Sequence, residues 1–204
     1  MIKFISVDLQ KDFSAEGGKH YKKRDSVKFL KEILIPYLRQ RNIKVAEIIS
    51  DYRLPRPADR DDSCRAGEWG YESEIPEDIK LKPIWIKCMN SPIWTRNNIG
   101  NPDKEAGLPY QDPEAFTKWL NKIVGKPSDS DEIILFGLTA DCCVFCTTQE
   151  LSWRGYNVRV LAEGVSTYSA NEKEKEMILY NPPFTNWAKA IKWKELRSKL
   201  DAVK

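Results

Sequence analysis

A cysteine follows a predicted buried strand at a place suited to nucleophilic chemistry. Residues Ile133 to Phe136 have the length and β-branched content of a buried strand, Gly137 interrupts the pattern, and a helix is predicted from Cys143 onward. The start of a helix leaves backbone N–H groups unpaired and carries the positive end of the helix dipole, which stabilises a thiolate or an oxyanion. Cys143 is therefore a candidate nucleophile, although the position also suits a buried structural cysteine.

Two further predicted strands end in charged residues. Asp8 follows Ile2–Val7, and Lys87 ends Pro83–Lys87. Because ligands bind at the carboxyl ends of parallel strands, these side chains are expected to meet Cys143 at one edge of a sheet. The lysine would lower the pKa of the thiol, and the aspartate would take its proton and return it to a leaving group. The alternatives are a turn or cap role for Asp8 and a surface position for Lys87.

The histidine and cysteine content narrows the possible chemistry. The five cysteines are odd in number and three are crowded together, a pattern that does not indicate a disulfide framework. No second C-x-x-C accompanies Cys142, Cys143 and Cys146, and the single histidine, His20, is distant in sequence, so structural zinc is not expected. His20 is predicted to be solvated in a polar loop. A carboxylate is therefore the expected proton carrier.

The composition is that of an ordinary α/β protein. The chain has 204 residues, 41% hydrophobic and 31% charged, with 33 basic and 30 acidic side chains. This balance does not favour nucleic-acid binding, and no apolar run approaches membrane-spanning length. Because the sequence opens with a predicted strand rather than a signal peptide, we expect a cytoplasmic protein that forms one domain over residues 1–204.

The hydrophobic periodicity predicts a three-layer α/β/α fold with a central, mostly parallel sheet. A helix is expected over Asp25–Arg41, capped by Asp25 or Ser26, with a break at Pro36. The other predicted elements are strands at Ile43–Ile49 and Val158–Ala162, and helices at Pro113–Ile123 (capped by Asp112), Glu172–Leu179 and Trp187–Leu200.

A long irregular segment runs from Tyr52 to Lys80. Such a loop within a compact domain usually serves function or acts as a lid. Arg53, Trp69 and Tyr71 are candidates to line a pocket, whereas Trp69 alternatively anchors the loop to the core.

Three segments together resemble the isochorismatase-like cysteine hydrolases, which include nicotinamidases and N-carbamoyl amide hydrolases. They are Val7–Phe13, Ile86–Ser91 and Gly137–Val144, followed by Gly155–Val158. The resemblance implies that Asp8 is the general base and acid, Lys87 the charge-stabilising partner and Cys143 the nucleophile. It also implies a cis peptide at Leu138–Thr139, an oxyanion hole formed by the N–H groups of Thr139 and Cys143, and pocket walls that include Phe13 and Trp94.

The sequence departs from the nicotinamidase pattern after the second strand. Those enzymes carry an Asp-x-His…His metal site there, whereas the segment Asp51–Arg56 contains no histidine. We therefore expect neither a metal nor another cofactor, which makes nicotinamide a doubtful substrate. Arg53 or Arg56 is either a clamp for a substrate carboxylate or a solvated loop residue.

The leading hypothesis is a metal-free cysteine amidohydrolase that cleaves a C–N bond of a small amide or carbamoyl compound through a thioester, which requires a reactive Cys143 of low pKa. The alternatives are ether hydrolysis of the isochorismatase type, which would not need Cys143, and a non-catalytic small-molecule-binding protein; a redox role for Cys143 and Cys146 is less favoured. The family resemblance also implies a homo-oligomer, a dimer or tetramer. The stripe Trp193, Leu196 and Leu200 either faces a neighbouring subunit or covers the sheet.

Overall fold

The computed structural model describes residues 1–57 and 62–202. The strands are β1 Ile2–Val7, β2 Val45–Ser50, β3 Trp85–Lys87, β4 Trp94–Thr95, β5 Tyr110–Gln111, β6 Glu132–Leu138, β7 Val158–Ser166 and β8 Lys189–Ile191. Six of them form a central parallel sheet with the strand order β3-β2-β1-β6-β7-β8. A separate antiparallel pair is formed by β4 and β5.

Helices and loops cover both faces of this sheet. All six residues of β2 are buried, as expected for a parallel strand enclosed on both sides. The helices are α1 Lys11–Ser14, α2 Asp25–Phe29, α3 Ile35–Gln40, α4 Pro113–Ile123, α5 Cys143–Trp153, α6 Glu172–Tyr180 and α7 Trp193–Ala202, with a π-helical segment at Leu30–Leu34. The predicted fold class is confirmed. Within the described ranges, no helix combines the length and apolar character required to cross a membrane.

A glycine allows β6 to lie close against the end of β1. Gly137 is paired with Val7 and has a φ of +124°, and a Cβ atom at this position would lie 2.0 Å from the Val7 carbonyl oxygen. Only glycine fits there without moving one of the two strands. The next residue of β1, Asp8, leaves the sheet with a φ of 49° in the left-handed region, which aspartate tolerates better than most residues. This local geometry sets the direction of the Asp8 side chain.

The first long helix is irregular where the sequence predicts a break. Proline lacks an N–H group and its ring crowds the carbonyl four residues earlier. That carbonyl belongs to Glu32, which lies in the π-helical segment directly before the α3 turn that contains Pro36. The predicted cap by Asp25 or Ser26 is wrong, because Arg24 is the N-cap and no side chain caps this end. The predicted cap of α4 is confirmed, since Asp112 accepts a hydrogen bond from the Ala115 N–H at 2.9 Å.

The C-terminal helix begins later than the sequence predicts. Residues Lys189–Ile191 form strand β8 beside β7, and α7 starts at Trp193, so the predicted helix over Trp187–Leu200 is wrong in its first part. The alternation around Ala190 was hidden by the longer helical pattern. Leu196 and Leu200 are 0% and 8% exposed, and α7 packs on β7. The stripe on this helix therefore covers the sheet.

Candidate active site

The carboxyl ends of β1 and β3 bring Asp8 and Lys87 to the start of α5. The Lys87 Nζ atom lies 2.8 Å from Asp8 Oδ2 and 3.4 Å from Cys143 Sγ. Asp8 and Lys87 are 0% exposed and Cys143 is 4% exposed. The structure thus places the three sequence-predicted residues together in one buried cluster.

Three further polar residues complete the cluster, and sequence reasoning missed all of them. Ser50 Oγ and Tyr52 Oη accept hydrogen bonds from Lys87 Nζ at 2.7 and 2.8 Å. Tyr52 Oη also lies 3.1 Å from Cys143 Sγ, and Asn90 Oδ1 lies 3.6 Å from the same sulfur. Ser50 ends β2 and is paired with Lys87 in the sheet. The carboxyl ends of neighbouring parallel strands meet at one edge, so the rule that predicted Asp8 could also have found Ser50.

Gln10 holds the ends of β1 and β2 in register. Its side-chain amide donates to the Ser50 carbonyl at 2.9 Å and accepts from the Ser50 N–H at 2.8 Å. The Ser50 hydroxyl in turn donates to Asp8 Oδ1 at 2.9 Å. A buried polar group is costly unless it is hydrogen-bonded. Two bonds of the Gln10 side chain position Ser50, and a third goes to the Tyr71 carbonyl at 3.0 Å. The Asp8 carboxylate is therefore held from both of its oxygens.

The protonation state of the sulfur differs from the sequence-based expectation. Burial raises the pKa of the Cys143 thiol well above its ordinary value, and the opposing attraction of Lys87 and the hydrogen bond from Tyr52 do not offset it. The expectation that Cys143 has a low pKa is therefore wrong for this conformation. Burial alone would lower the pKa of Lys87, but attraction to Asp8, Cys143 and Tyr52 outweighs it and raises that pKa. At neutral pH the arrangement holds a thiol beside an ammonium.

The turn between β6 and α5 contains the predicted cis peptide bond, Leu138–Thr139. The Thr139 carbonyl accepts hydrogen bonds from the N–H groups of Cys142 at 3.1 Å and Val144 at 3.0 Å, which fixes the turn. Cys143 is the first residue of α5, so its own N–H has no acceptor within the helix. The backbone N–H groups of Thr139 and Cys143 thus lie in the turn that carries the nucleophile.

Arg53 has a structural role that the sequence did not reveal. Its guanidinium donates to Asp51 at 2.9 and 2.7 Å and to the carbonyls of Asn98, Asn101 and Lys104 at 2.8 to 2.9 Å. These bonds use all five of its N–H groups, so the hypothesis that Arg53 clamps a substrate carboxylate is wrong.

The ion pair between Arg53 and Asp51 also affects whether the end of β2 could bind a metal. Both oxygens of the buried Asp51 carboxylate accept hydrogen bonds from Arg53. The guanidinium cation therefore occupies the side of the carboxylate that would bind a metal. Residues 1–57 and 62–202 contain no group of three or more His, Cys, Asp or Glu side chains that could hold a metal ion. The residues at this strand end therefore do not fit a metal.

The remaining pocket candidates differ in their surroundings. Phe13 is 7% exposed and stacks on His20 with ring centroids 5.2 Å apart, so the half-buried His20 packs on an aromatic ring within its loop. Trp69 is 46% exposed, with Lys11 Nζ 5.5 Å from its ring centroid. Trp94 lies on β4, and its carbonyl accepts from the N–H of Cys88, the residue after Lys87, at 3.0 Å. Of these candidates, Trp94 is tied most directly to the cluster.

Comparison with known proteins identifies the architecture. The family model described as the isochorismatase domain matches residues 113–190, which contain Cys143 but neither Asp8 nor Lys87. No curated protein matches the chain significantly. Among solved structures, an isochorismatase-like hydrolase from Alkaliphilus metalliredigens has 15% identity and a TM-score of 0.64, covering 100% of this chain and 98% of its own.

Two further solved structures share the fold. A pyrazinamidase of Pyrococcus horikoshii, in complex with zinc, has 17% identity and a TM-score of 0.61 over 94% of this chain and 99% of its own. An N-carbamoylsarcosine amidase from Thermoplasma acidophilum has 15% identity and a TM-score of 0.53 over 94% and 95%. The resemblance to isochorismatase-like hydrolases expected from the sequence is confirmed, by the family model over residues 113–190 and by the fold over the chain.

Proposed function

We propose that the protein is a cysteine hydrolase that cleaves a C–N bond in a small amide or carbamoyl compound. Asp8 takes the proton of the Cys143 thiol as the sulfur attacks the substrate carbonyl carbon. The tetrahedral oxyanion is held by the backbone N–H groups of Thr139 and Cys143. Asp8 then gives the proton to the leaving nitrogen, the C–N bond breaks, and a thioester remains on the sulfur. Asp8 next deprotonates a water molecule as its oxygen attacks the thioester carbon. The C–S bond then breaks, the acid is released, and Asp8 returns the proton to Cys143 Sγ.

Lys87 stabilises the negative charge that moves through this sequence. Its ammonium lies 2.8 Å from Asp8 Oδ2 and 3.4 Å from Cys143 Sγ, close enough to stabilise a negative charge on either group. In a buried site such a fixed charge is effective because little water screens it. The raised pKa of Cys143 means that the thiolate forms only as substrate binds, with Asp8 as the acceptor, instead of existing beforehand.

The observation that carries the proposal is the burial of a proton carrier, Asp8, and a nucleophile, Cys143, within 3.4 Å of the Lys87 ammonium group. A structural cysteine at the start of α5 would need no lysine beside it, and burying that lysine is costly without a function or a full set of partners. Two solved structures with the same fold, a pyrazinamidase and an N-carbamoylsarcosine amidase, support amide or carbamoyl substrates. Phe13 and Trp94 are the proposed walls of the substrate pocket.

Ammonia release from a panel of small amides and carbamoyl compounds tests this function. We expect release by the wild type and at least about 10³-fold less by Cys143→Ala, as for the loss of a nucleophile. Cys146→Ala, one helical turn away on α5, is the matched control and should keep full activity. Equal release by Cys143→Ala would favour water-based chemistry on Asp8, as in ether hydrolysis. Binding of panel compounds by the wild type without any turnover would favour a non-catalytic binding protein.

A further inference from the structure

The hydrogen-bond donors of Lys87 are fully used by oxygen atoms. An ammonium group has three N–H donors and no acceptor. Three oxygens lie 2.7 to 2.8 Å from Lys87 Nζ, on Asp8, Ser50 and Tyr52, whereas Cys143 Sγ is further away at 3.4 Å. The lysine therefore acts on the sulfur by its charge, and a direct hydrogen bond to the sulfur must come from another group.

Tyr52 is placed to supply that hydrogen bond. Because its oxygen accepts from Lys87, its single O–H proton is available for a different acceptor. The nearest one is Cys143 Sγ at 3.1 Å, and Asn90 Oδ1 follows at 3.5 Å. Burial raises the pKa of the Tyr52 hydroxyl well above its ordinary value, so the proton stays on oxygen across the neutral range.

Deepening the proposed cysteine-hydrolase function, on which this inference rests, we propose that Tyr52 is a fourth catalytic residue that donates its O–H to Cys143 Sγ. When the thiol proton passes to Asp8, the sulfur becomes negative and the bond from Tyr52 becomes charge-assisted and stronger. Lys87 strengthens the donor further because it polarises the hydroxyl through its own bond to the same oxygen. No proton leaves Tyr52 in any step, and the proton held by Asp8 still goes to the leaving nitrogen.

The surroundings of Tyr52 hold its ring in this position. Its side chain is 4% exposed, and it lies two residues after Ser50, the last residue of β2. Its backbone forms a two-way bridge with Ser63, with N–O distances of 3.1 and 3.3 Å. The Arg56 guanidinium carbon lies 4.0 Å from the centroid of the Tyr52 ring. A side chain fixed in this way loses little conformational entropy when it acts on the sulfur.

Alkylation of the full-length protein by iodoacetamide tests the role of Tyr52 without any substrate. The rate at Cys143 is followed by peptide mass spectrometry from pH 6 to 10. In Tyr52→Phe we expect the rate at pH 8 to fall roughly 10-fold and the profile to move about one unit to higher pH, since a hydrogen bond to a charged group is lost. Tyr156→Phe is the matched control, because it removes another buried hydroxyl, which donates to the Gly125 carbonyl at 2.7 Å. The control should keep the wild-type profile.

An unshifted profile in Tyr52→Phe would overturn the proposal, and so would a loss of rate equal to that of Tyr156→Phe. Faster alkylation would overturn it as well, since the Tyr52 hydroxyl would then act as a barrier to the sulfur. These outcomes leave the ammonia-release result intact, so the two proposals fail separately. If Tyr52→Phe does not fold, 3-fluorotyrosine at position 52 provides a second test of nearly unchanged shape. Its stronger O–H donor should move the alkylation profile to lower pH, and an unmoved profile would contradict the role.

Discussion

The Lys87 ammonium lies 2.8 Å from the Asp8 carboxylate, and neither side chain is exposed to solvent. Removing two opposite charges from water costs free energy. Their attraction offsets this cost only when the remaining hydrogen-bond donors and acceptors are also satisfied. Here Ser50 bridges the pair, accepting from Lys87 and donating to Asp8. The pair is therefore both a structural unit and the centre of the proposed chemistry.

Lys87→Met should impair stability and activity together. The variant leaves the Asp8 carboxylate buried with only part of its hydrogen bonds, which costs about 3–5 kcal/mol of unfolding free energy. It should also lower kcat roughly 10²–10³-fold, since a fixed charge at the reacting centre is lost. Urea unfolding and ammonia release measure the two effects. Lys82→Met is the control, because Lys82 is 66% exposed and should change the stability by less than about 0.5 kcal/mol.

Cys143→Ser should change how stability depends on pH. The folded pKa of Cys143 is raised, so the folded state keeps a proton that the unfolded chain loses above about pH 8.5. The contribution of this thiol is therefore fully present below that pH and is lost as the pH rises towards the folded pKa. Above about pH 9 the wild type should lose up to about 1.4 kcal/mol per pH unit more than Cys143→Ser. Urea unfolding in reducing buffer measures this, and parallel curves would contradict the assigned shift.

Arg53→Met should destabilise the protein without a specific effect on substrate binding. Asp51 is fully buried and would lose its cation, a change that costs about 3–5 kcal/mol. Arg65→Met, at a side chain that is 45% exposed and paired with Asp62, should cost less than about 1 kcal/mol. An Arg53→Met protein that unfolds like the wild type but has a much higher KM for anionic substrates would restore the carboxylate-clamp hypothesis.

Gly137→Ala should be much more damaging than an alanine at another glycine of positive φ. At Gly17, with a φ of +93°, a Cβ would meet nothing within 4 Å, so only the cost of the left-handed backbone, about 1–2 kcal/mol, is expected. At Gly137 the same atom would lie 2.0 Å from the Val7 carbonyl and force β1 and β6 apart beside Asp8. We expect a loss of more than about 3 kcal/mol by urea unfolding. Equal losses at the two positions would show that contact with Val7 is unimportant.

The sequence predicted the parts of the site that follow from strand ends. Asp8, Lys87 and Cys143 could be predicted because each comes directly after a clear apolar run or a short turn. The parallel arrangement of those runs implies one shared edge. Five of the six sheet strands and the cap by Asp112 were predicted for the same local reasons. The strand at Lys189–Ile191 was missed because three residues are too few for alternation to outweigh a neighbouring helical pattern.

The remaining features depend on contacts between distant segments. Arg53 binds Asp51 and three carbonyls near residue 100. No local sequence pattern distinguishes such an arginine from one that faces solvent. The pKa of Cys143 depends on how deeply the loops bury it, which the helix-terminus argument does not include. Tyr52 was hidden in the same way, because a tyrosine in a long loop has no pattern that assigns its hydroxyl to the sulfur.

The most direct test of the central claim is mass spectrometry of the Cys143 peptide after rapid acid quench of wild-type protein during turnover of an amide from the panel. The proposed mechanism predicts an added mass equal to the substrate acyl group, on Cys143 and not on Cys142 or Cys146, that disappears when the substrate is exhausted. Steady turnover that continues in Cys143→Ala, with no acyl group on any wild-type cysteine at the earliest times, would contradict it.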